Sequence, residues 1–386
     1  MNFLKELFTT HWIINILLLA TGCTNENGIS HSAAINIQVG DAIVIPIDNR
    51  TSYKSYCVQY IENAGMPLLA YESREKNAIQ FYHLLTKKLI HEVVFPRVGD
   101  KAIDELAGFF IADLNHIYII GDQLRRLFIV DSLGNIDQVF SIDKSLISKE
   151  NDFGTSGAIS IFPAIKSENH LYVFAGPNFN IMEIPGEGKA FEMAISLRTG
   201  EIKTWGTYPE VYNGFKGINQ MVPSRTFDGK RFIYSFPITP TLYWKNIDEQ
   251  NPVLKTESNT IGMPLQGINT QMNVQDELNR YTLENPYYST IAYDKWRDFL
   301  YRVVFLPINV KNLSTGGANV FADKPFKIQV FNSTFEFLGE KEFKGGVFDP
   351  KEFFITPAGL YISENNPISP NAKEDALQYR LIIVSK

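Results

Sequence analysis

The chain has 386 residues, of which 45% are hydrophobic, 13% aromatic and 20% charged, and this composition excludes an intrinsically disordered protein. Its 42 acidic and 36 basic residues give a net charge of −6 and are scattered without long runs. We therefore expect no nucleic-acid partner, because the sequence lacks a basic surface. The 28 Phe and 18 Tyr residues, against 7 Met, favour a fold built from strands.

The first segment, residues 1–22, is typical of an export signal. Lys5 precedes an apolar stretch at residues 13–22, which is shorter than the roughly 20 residues of a transmembrane helix. The stretch runs into LATGC at residues 19–23, which resembles the lipobox of bacterial lipoproteins. The resemblance implies cleavage before Cys23, lipidation of Cys23 and stable membrane anchoring by several acyl chains. The alternative is an ordinary secretory signal followed by a coincidental cysteine.

Residues 23–34 are small and polar, and we predict that they form a flexible tether between the lipid and the folded domain. Thr24, rather than Asp, follows Cys23. By resemblance to the sorting rules of Gram-negative lipoproteins, this indicates the outer membrane, with the periplasmic and the surface face both left open. Cys57 has no partner for an intrachain disulfide, and its surroundings predict a buried strand residue.

Six segments of the remaining chain share one pattern, a strand, a short polar turn and a second strand with an apolar centre. The first five turns fall at residues 63–65, 114–115, 167–169, 228–229 and 295–298, and the sixth copy is FFITPAGLYISENNP at residues 353–367. The apolar centres recur roughly every 50 to 65 residues, as in propeller blades. These centres are Leu69, Tyr118, Tyr172, Tyr234, Tyr301 and Tyr361.

Most of these hairpins are followed by a second hairpin, which gives the four antiparallel strands of a propeller blade. The last copy has one further strand, residues 379–385, and would expose an apolar edge without a fourth. Residues 35–47 are strand-like and belong to no hairpin. We therefore predict an all-β domain at residues 35–386, a six-bladed β-propeller whose last blade is closed by the N-terminal strand at residues 35–47.

Other architectures remain open at this point. A ring of five or seven blades would fit a different division of the hairpins. A β-sandwich would leave more than half of the chain unexplained, and two separate β domains would need a linker that the sequence does not show.

The blade spacing and the lipobox together resemble the TolB-like six-bladed propeller lipoproteins of Bacteroides-type bacteria, a family of domains of unknown function. The resemblance covers residues 35–386 and is most evident in NPYYSTIAYDKWRDFLYR at residues 285–302. It implies the fold and the location, and it brings no catalytic residues.

The sequence offers few catalytic or metal-binding patterns. His83, His91, His116 and His170 form no zinc motif. GTSGA at residues 154–158 lacks the second glycine of a nucleophile elbow, and we predict a loop there. We expect no cofactor and no metal site, with calcium left open although no motif specifies it.

Ligand-binding candidates come from the loops between second and third strands and between blades, which meet at one end of a propeller channel. Aromatic rings with hydroxyl groups suit binding, and polar side chains could contact a glycan or a peptide. The candidates are Asp122, Arg125, Asn178, Asn180, Tyr208, Tyr212, Asn213, Tyr287 and Tyr288. The alternative for the tyrosines is packing between blades, and for the charged residues ordinary solvation.

Three functions are compatible with the sequence. The first is a non-catalytic, membrane-anchored protein whose propeller binds a protein or glycan partner in the cell envelope. The second is a hydrolase, lactonase or lyase that uses carboxylates in the channel, with or without calcium. The third is a structural envelope component without a small ligand. The sequence favours the first.

Overall fold

The computed structural model describes residues 35–99, 101–121, 126–142, 153–177, 190–212, 222–249, 254–257, 273–312 and 316–385. They lie in one compact unit, Ile35–Lys386. Within these residues six antiparallel sheets follow one another along the chain, and each has its strands in sequence order except the last. The prediction of an all-β, six-bladed propeller is confirmed.

The first three blades follow β1 (Asn36–Pro46) in the chain. Blade 1 contains β2 (Val58–Asn63), β3 (Met66–Ser73), β4 (Ala78–His83) and β5 (Lys88–Val94). Blade 2 contains β6 (Leu106–Asp113), β7 (His116–Gly121), β8 (Arg126–Val130) and β9 (Ile136–Ser141). Blade 3 contains β10 (Phe153–Gly157), β11 (Ile165–Ser167), β12 (His170–Pro177), β13 (Ala190–Ser196) and β14 (Ile202–Thr207).

The second half of the ring has the same plan. Blade 4 contains β15 (Ser224–Phe227), β16 (Arg231–Ser235), β17 (Leu242–Asn246) and β18 (Lys255–Glu257). An α-helix, α1 (Val274–Glu284), precedes blade 5, which contains β19 (Tyr287–Asp294), β20 (Phe299–Phe305), β21 (Phe326–Asn332) and β22 (Phe337–Phe343). Blade 6 contains β23 (Asp349–Thr356), β24 (Gly359–Ser363) and β25 (Ala376–Ser385).

The N-terminal strand closes the ring as predicted. β1 pairs antiparallel with β25 from Asn36 opposite Ser385 to Pro46 opposite Ala376, with a bulge between Val39 and Ala42. The pairing covers the outer edge of β25, whose backbone groups would otherwise offer a template for aggregation. Blade 6 therefore takes its fourth strand from the other end of the domain.

Side chains of one inner strand bond to the backbone of the next inner strand. The amide group of Gln59 in β2 donates to the Ile111 carbonyl and accepts from the Ile111 N–H in β6, each at 2.8 Å. In the same way Ser224 Oγ accepts from Ile291 N–H at 2.8 Å, and Thr226 Oγ1 accepts from Tyr293 N–H at 3.0 Å. From Ser224 to Thr226 the bonded partner moves from Ile291 to Tyr293, in the same chain direction. Strands β15 and β19 therefore run parallel to each other.

Because neighbouring inner strands run in the same direction, the propeller has two distinct ends. The hairpin turns between the first and second and between the third and fourth strands lie at one end, which we call the turn face. The connections between second and third strands and between blades lie at the other end, the loop face. Apolar clusters fill the space between neighbouring blades; Ile79 and Phe81 of blade 1, for example, pack with Phe109 and Ile119 of blade 2.

Helix α1 lies in the connection between blades 4 and 5, where the sequence pattern predicts a loop. Residues 258–272 lie outside the described part of the chain, but Val274–Glu284 are helical. The N–H of Asp276 donates to Asn273 Oδ1 at 3.4 Å, and Pro286 follows the helix. The end of α1 is held by Lys324, whose ammonium donates to the carbonyls of Thr282, Leu283 and Asn285 at 2.7–2.9 Å.

None of the helices described here has both the length and the apolar character needed to cross a membrane.

Candidate functional site: the central channel

A cavity of about 690 Å³ lies in the central channel and is lined by residues of all six blades. This volume is in the range of pockets that take a small molecule or the end of a larger one. The lining runs from the beginnings of the inner strands, at Cys57 and Arg225, to the hairpin turns at Glu62, Gly229 and Trp296. The cavity therefore opens towards the turn face, and we call it the cup.

The floor of the cup is a segment of blade 3, residues 158–164, which we call the plug. β10 and β11 both pair with β12, and the plug leaves the inner edge of the blade between them. Its backbone is bonded to three other blades. Ala158 N–H donates to Ala107 O at 2.9 Å, Ser160 N–H donates to Tyr56 O at 2.7 Å, and Ile161 O accepts from Arg225 N–H at 2.8 Å.

The plug differs from the sequence prediction. The sequence pattern predicts the inner strand of blade 3 directly before the turn at residues 167–169, and it predicts a loop for GTSGA at residues 154–158. Instead Phe153–Gly157 form the strand β10, and residues 158–164 cross the channel. Residues 158–164 are apolar and resemble a strand, and only their contacts with blades 1, 2 and 4 show that they cross the channel.

The side chain of Arg225, in strand β15 of blade 4, holds the plug in place. This side chain is fully buried, and Nη1 donates to both carboxylate oxygens of Glu192, at 2.7 and 2.5 Å. Nη2 donates to the carbonyl of Pro163 in the plug, and the guanidinium lies 4.2 Å from the centre of the Phe162 ring. Burial raises the pKa of Glu192 to about 7, while the charge of Arg225 acts in the opposite direction.

Two aromatic side chains meet at the mouth of the cup. Tyr60 of β2 and Trp296, in the turn between β19 and β20, are 5.9 Å apart between ring centroids and form an edge-to-face pair at 71°. Blade 6 lies between their two blades in the ring. Trp296 is 40% exposed, and the ammonium of Lys295 lies 4.8 Å from its ring. The pair therefore offers an accessible aromatic surface.

The turn that carries Trp296 is held by buried and cross-blade contacts. Asp294 Oδ1 accepts from the N–H groups of Trp296 and Arg297 at 3.0 and 3.2 Å, and its other oxygen accepts from Tyr301. Arg297 also donates to the carbonyls of Thr356 and Pro357 in blade 6, at 3.4 and 2.5 Å. Because these contacts fix the turn, Trp296 is positioned before any ligand arrives.

The polar groups of the cup suit binding better than acid–base chemistry. Its acidic lining residues are Glu62, which is exposed at the mouth, and Asp228, whose Oδ1 accepts from two N–H groups of its own turn. Cys57 is buried, and burial raises its pKa, with a further contribution from the charge of Glu72. Its thiol therefore stays protonated and unreactive. Within the described residues no group of three His, Cys, Asp or Glu could hold a metal ion.

The candidate residues chosen from the sequence fall into two groups. Cys23 and the candidates Asp122, Arg125, Asn178, Asn180 and Asn213 lie outside the described residues. The four tyrosines are described. Tyr208 packs against Phe191 and Tyr212 at 5.3 and 5.2 Å between centroids, and Tyr212 is fully buried.

The other two tyrosines begin blade 5. Tyr287 packs against Phe321 at 5.4 Å, and Tyr288 is buried beneath the guanidinium of Arg302 at 4.5 Å. Tyr212 and Tyr288 therefore occupy the packing positions that were the alternative to ligand contact. The cup lies at the opposite end of the channel from the loops that supplied these candidates.

Sequence reasoning did not select Tyr60 or Trp296 as site residues. One signal was present, because a tryptophan in the tight polar turn DKWRD, residues 294–298, is unexpected unless it contacts something. No local pattern identified Tyr60, which reads as an ordinary strand residue.

Comparisons with known proteins agree with the fold. The family described as a domain of unknown function (DUF4221) matches residues 28–342. A solved member of that family from Bacteroides vulgatus ATCC 8482 is similar with a TM-score of 0.77 and 21% identity, over 92% of this chain and 99% of that one. A candidate exported protein from Bacteroides fragilis NCTC 9343 is similar with a TM-score of 0.55 and 10% identity, over 93% and 98% of the two chains. No curated protein matches the sequence significantly.

Proposed function

Because this chain belongs to the DUF4221 family of domains of unknown function, we propose a function from its own site: it binds a protein or glycan partner in the cup, without catalysis. The observation that carries the proposal is the Tyr60–Trp296 pair at the mouth of a cavity of about 690 Å³. Rigid aromatic faces bind the apolar face of a sugar ring or a flat side chain with little loss of rotamer entropy.

The proposal includes the location. The lipobox at residues 19–23 supports a lipid anchor on Cys23, as in TolB-like propeller lipoproteins, and the absence of Asp after Cys23 supports the outer membrane. The similarity to a candidate exported protein is compatible with export. Labelling cells with radioactive palmitate tests the anchor: the wild-type protein incorporates label, and Cys23→Ser does not. Equal labelling of both proteins would reject it.

Binding is tested with a panel of envelope glycans and peptides, measured by the change in tryptophan fluorescence and by calorimetry. We expect one of the two ligand classes to bind, and Trp296→Ala to weaken that binding about tenfold, because removal of a stacking ring costs roughly 1.4 kcal/mol. The glycan and peptide arms of the panel separate the two partner classes.

The matched control is Tyr56→Ala. Tyr56 is also an exposed aromatic residue, but it is not among the residues that line the cup. A ligand whose affinity falls equally in both variants does not use the cup. If no glycan and no peptide binds, the proposed binding function is wrong.

A further inference from the structure

Exposed apolar side chains occupy the tips of several hairpin turns on the turn face. Leu85, between β4 and β5, is 76% exposed, and Leu133, between β8 and β9, is 77% exposed. Met66, the first residue of β3 after a hairpin turn, and Trp296, in the turn between β19 and β20, lie on the same face and are also exposed. Turns of this kind are usually polar, and leaving large apolar side chains at their tips is unfavourable in water.

Among the residues that the structure describes, the two most exposed leucines belong to adjoining blades. The turn that carries Leu133 contacts the outer strand of blade 1, where the ring of His91 is hydrogen-bonded to the carbonyl of Ser132 at 2.5 Å. Leu89 and Ile90, next to His91 in that strand, are exposed as well. These apolar residues therefore form one region at the edge of the turn face, which we call the rim patch.

Lysines accompany the apolar tips. Lys87 and Lys88 follow Leu85 closely and are exposed, and Lys295 directly precedes Trp296. A leucine or tryptophan beside a lysine is the combination that favours the boundary between water and lipid, since the ammonium can reach headgroup phosphates while the apolar part enters the acyl region.

The N-terminal strand of the domain begins on this face. β1 runs antiparallel to β25, so that Asn36 lies at the same end of the propeller as the hairpin turns. Cys23, the proposed anchor, precedes Asn36 by a length of chain that spans at most about 45 Å. A bilayer that holds Cys23 is therefore within reach of the turn face.

We propose that the turn face docks on the surface of the membrane, with Leu85 and Leu133 inserted among the lipid headgroups. The argument from chain length rests on the proposed lipid anchor. The anchor holds the domain at a high effective concentration near the bilayer, so that a few weakly inserting side chains are sufficient to orient it. In this orientation the cup faces the membrane, and its ligand is a molecule displayed at the membrane surface.

The first experiment measures docking without the acyl chains. The mature chain carrying Cys23→Ser is mixed with vesicles of phosphatidylethanolamine and phosphatidylglycerol, and the bound fraction is measured by cosedimentation. We expect concentration-dependent binding, which Leu85→Glu/Leu133→Glu weakens about tenfold, because the variant places two carboxylates where apolar side chains would leave water.

The control is Val98→Glu/Val320→Glu, which makes the same kind of change on the loop face. Val98 is 83% exposed, and Val320 is exposed too. We expect this variant to bind vesicles like its parent. Absence of binding by the parent protein, or equal losses in the two double variants, overturns the proposal.

A second experiment uses the acylated protein in vesicles that contain brominated lipids, which quench tryptophans at the bilayer surface. We expect quenching in the wild-type protein and a clear reduction in Leu85→Glu/Leu133→Glu. Absence of quenching in the wild-type protein, or equal quenching in Leu85→Glu/Leu133→Glu, overturns the docking proposal. Neither experiment depends on the glycan and peptide panel, so failure of docking and failure of cup binding are distinguishable.

Discussion

At the scale of single residues, three buried glutamates are expected to make the free energy of unfolding depend on pH. Burial raises the pKa of Glu352 to about 8 and that of Glu72 and Glu192 to about 7. The carboxyl group of Glu352 accepts from the N–H of Ser55 at 3.0 Å and from the hydroxyl of Tyr379. Burial therefore shifts all three groups towards the protonated form, although the charge of Arg225 opposes this shift at Glu192.

The raised pKa of Glu352 predicts that the folded state loses stability as the pH rises. Between about pH 4.5 and about pH 8 the folded protein keeps a proton that the unfolded chain has released. The free energy of unfolding therefore falls through this window, by up to roughly 1.4 kcal/mol per pH unit from this group, and becomes level above it. Denaturant unfolding of the wild-type protein at pH 5, 6, 7 and 8 measures the slope.

The variant Glu352→Gln should have a flatter profile, because a neutral amide can accept from Ser55 and donate to Tyr379 at every pH. It should match the wild-type protein near pH 5 and be more stable at pH 8. Glu62→Gln is the control, since the same change is made at an exposed position. A difference between wild type and Glu352→Gln that is identical at pH 5 and pH 8 contradicts the assignment.

At the scale of elements, the plug depends on a close backbone approach at Gly108 in β6. Gly108 has φ +105°, and a Cβ atom added there would lie 1.6 Å from the carbonyl oxygen of Ala158. The neighbouring bond from Ala158 N–H to Ala107 O holds the start of the plug against the same strand. Any larger residue at this position must displace the plug, and with it the floor of the cup.

Gly108→Ala should therefore destabilise the protein by about 2–4 kcal/mol, through the combined costs of a left-handed backbone and of the clash with Ala158. The midpoint of denaturant unfolding measures this loss. Gly65→Ala is a matched control, because Gly65 also has a positive φ of +77° but has nothing within 4 Å of the added Cβ. Equal losses in the two variants would show that contact with the plug contributes nothing.

At the scale of the whole molecule, the ring is held closed by a strand from the opposite end of the domain. β1 buries Ile37 and Ile45 against blades 5 and 6 and the neighbouring blade 1, and it covers the edge of β25. In a closed ring each blade packs on two neighbours, so that opening one junction exposes the apolar faces of both.

Removal of residues 24–47 should abolish cooperative unfolding and produce aggregation, because β25 then becomes an exposed edge strand. Removal of residues 24–34 alone leaves β1 intact and should leave the unfolding midpoint unchanged. Calorimetry and light scattering compare the two truncations. A synthetic peptide of residues 35–47 should restore solubility of the longer truncation by adding the missing strand. A soluble, cooperatively folded protein without β1 would contradict this account of closure.

Much of the fold follows from local patterns. Hairpins are indicated by Asp228-Gly229 and by the turn at residues 63–65. The unpaired strand at residues 35–47 indicates how the last blade is completed. These features depend on neighbours in sequence or on a general rule about sheet edges. Helix α1 carried its own local signals at Asn273 and Pro286, and the prediction of a loop there overlooked them.

The sequence by itself determined the class, the repeat and its closure, because alternation of apolar residues and turn chemistry act over a few residues. Only the tertiary structure decided the site. Tyr60 and Trp296 come from two blades that meet only after the ring closes, and the plug leaves its own sheet to bond with three others. Such contacts depend on the relative positions of distant strands, which no short segment of the chain encodes.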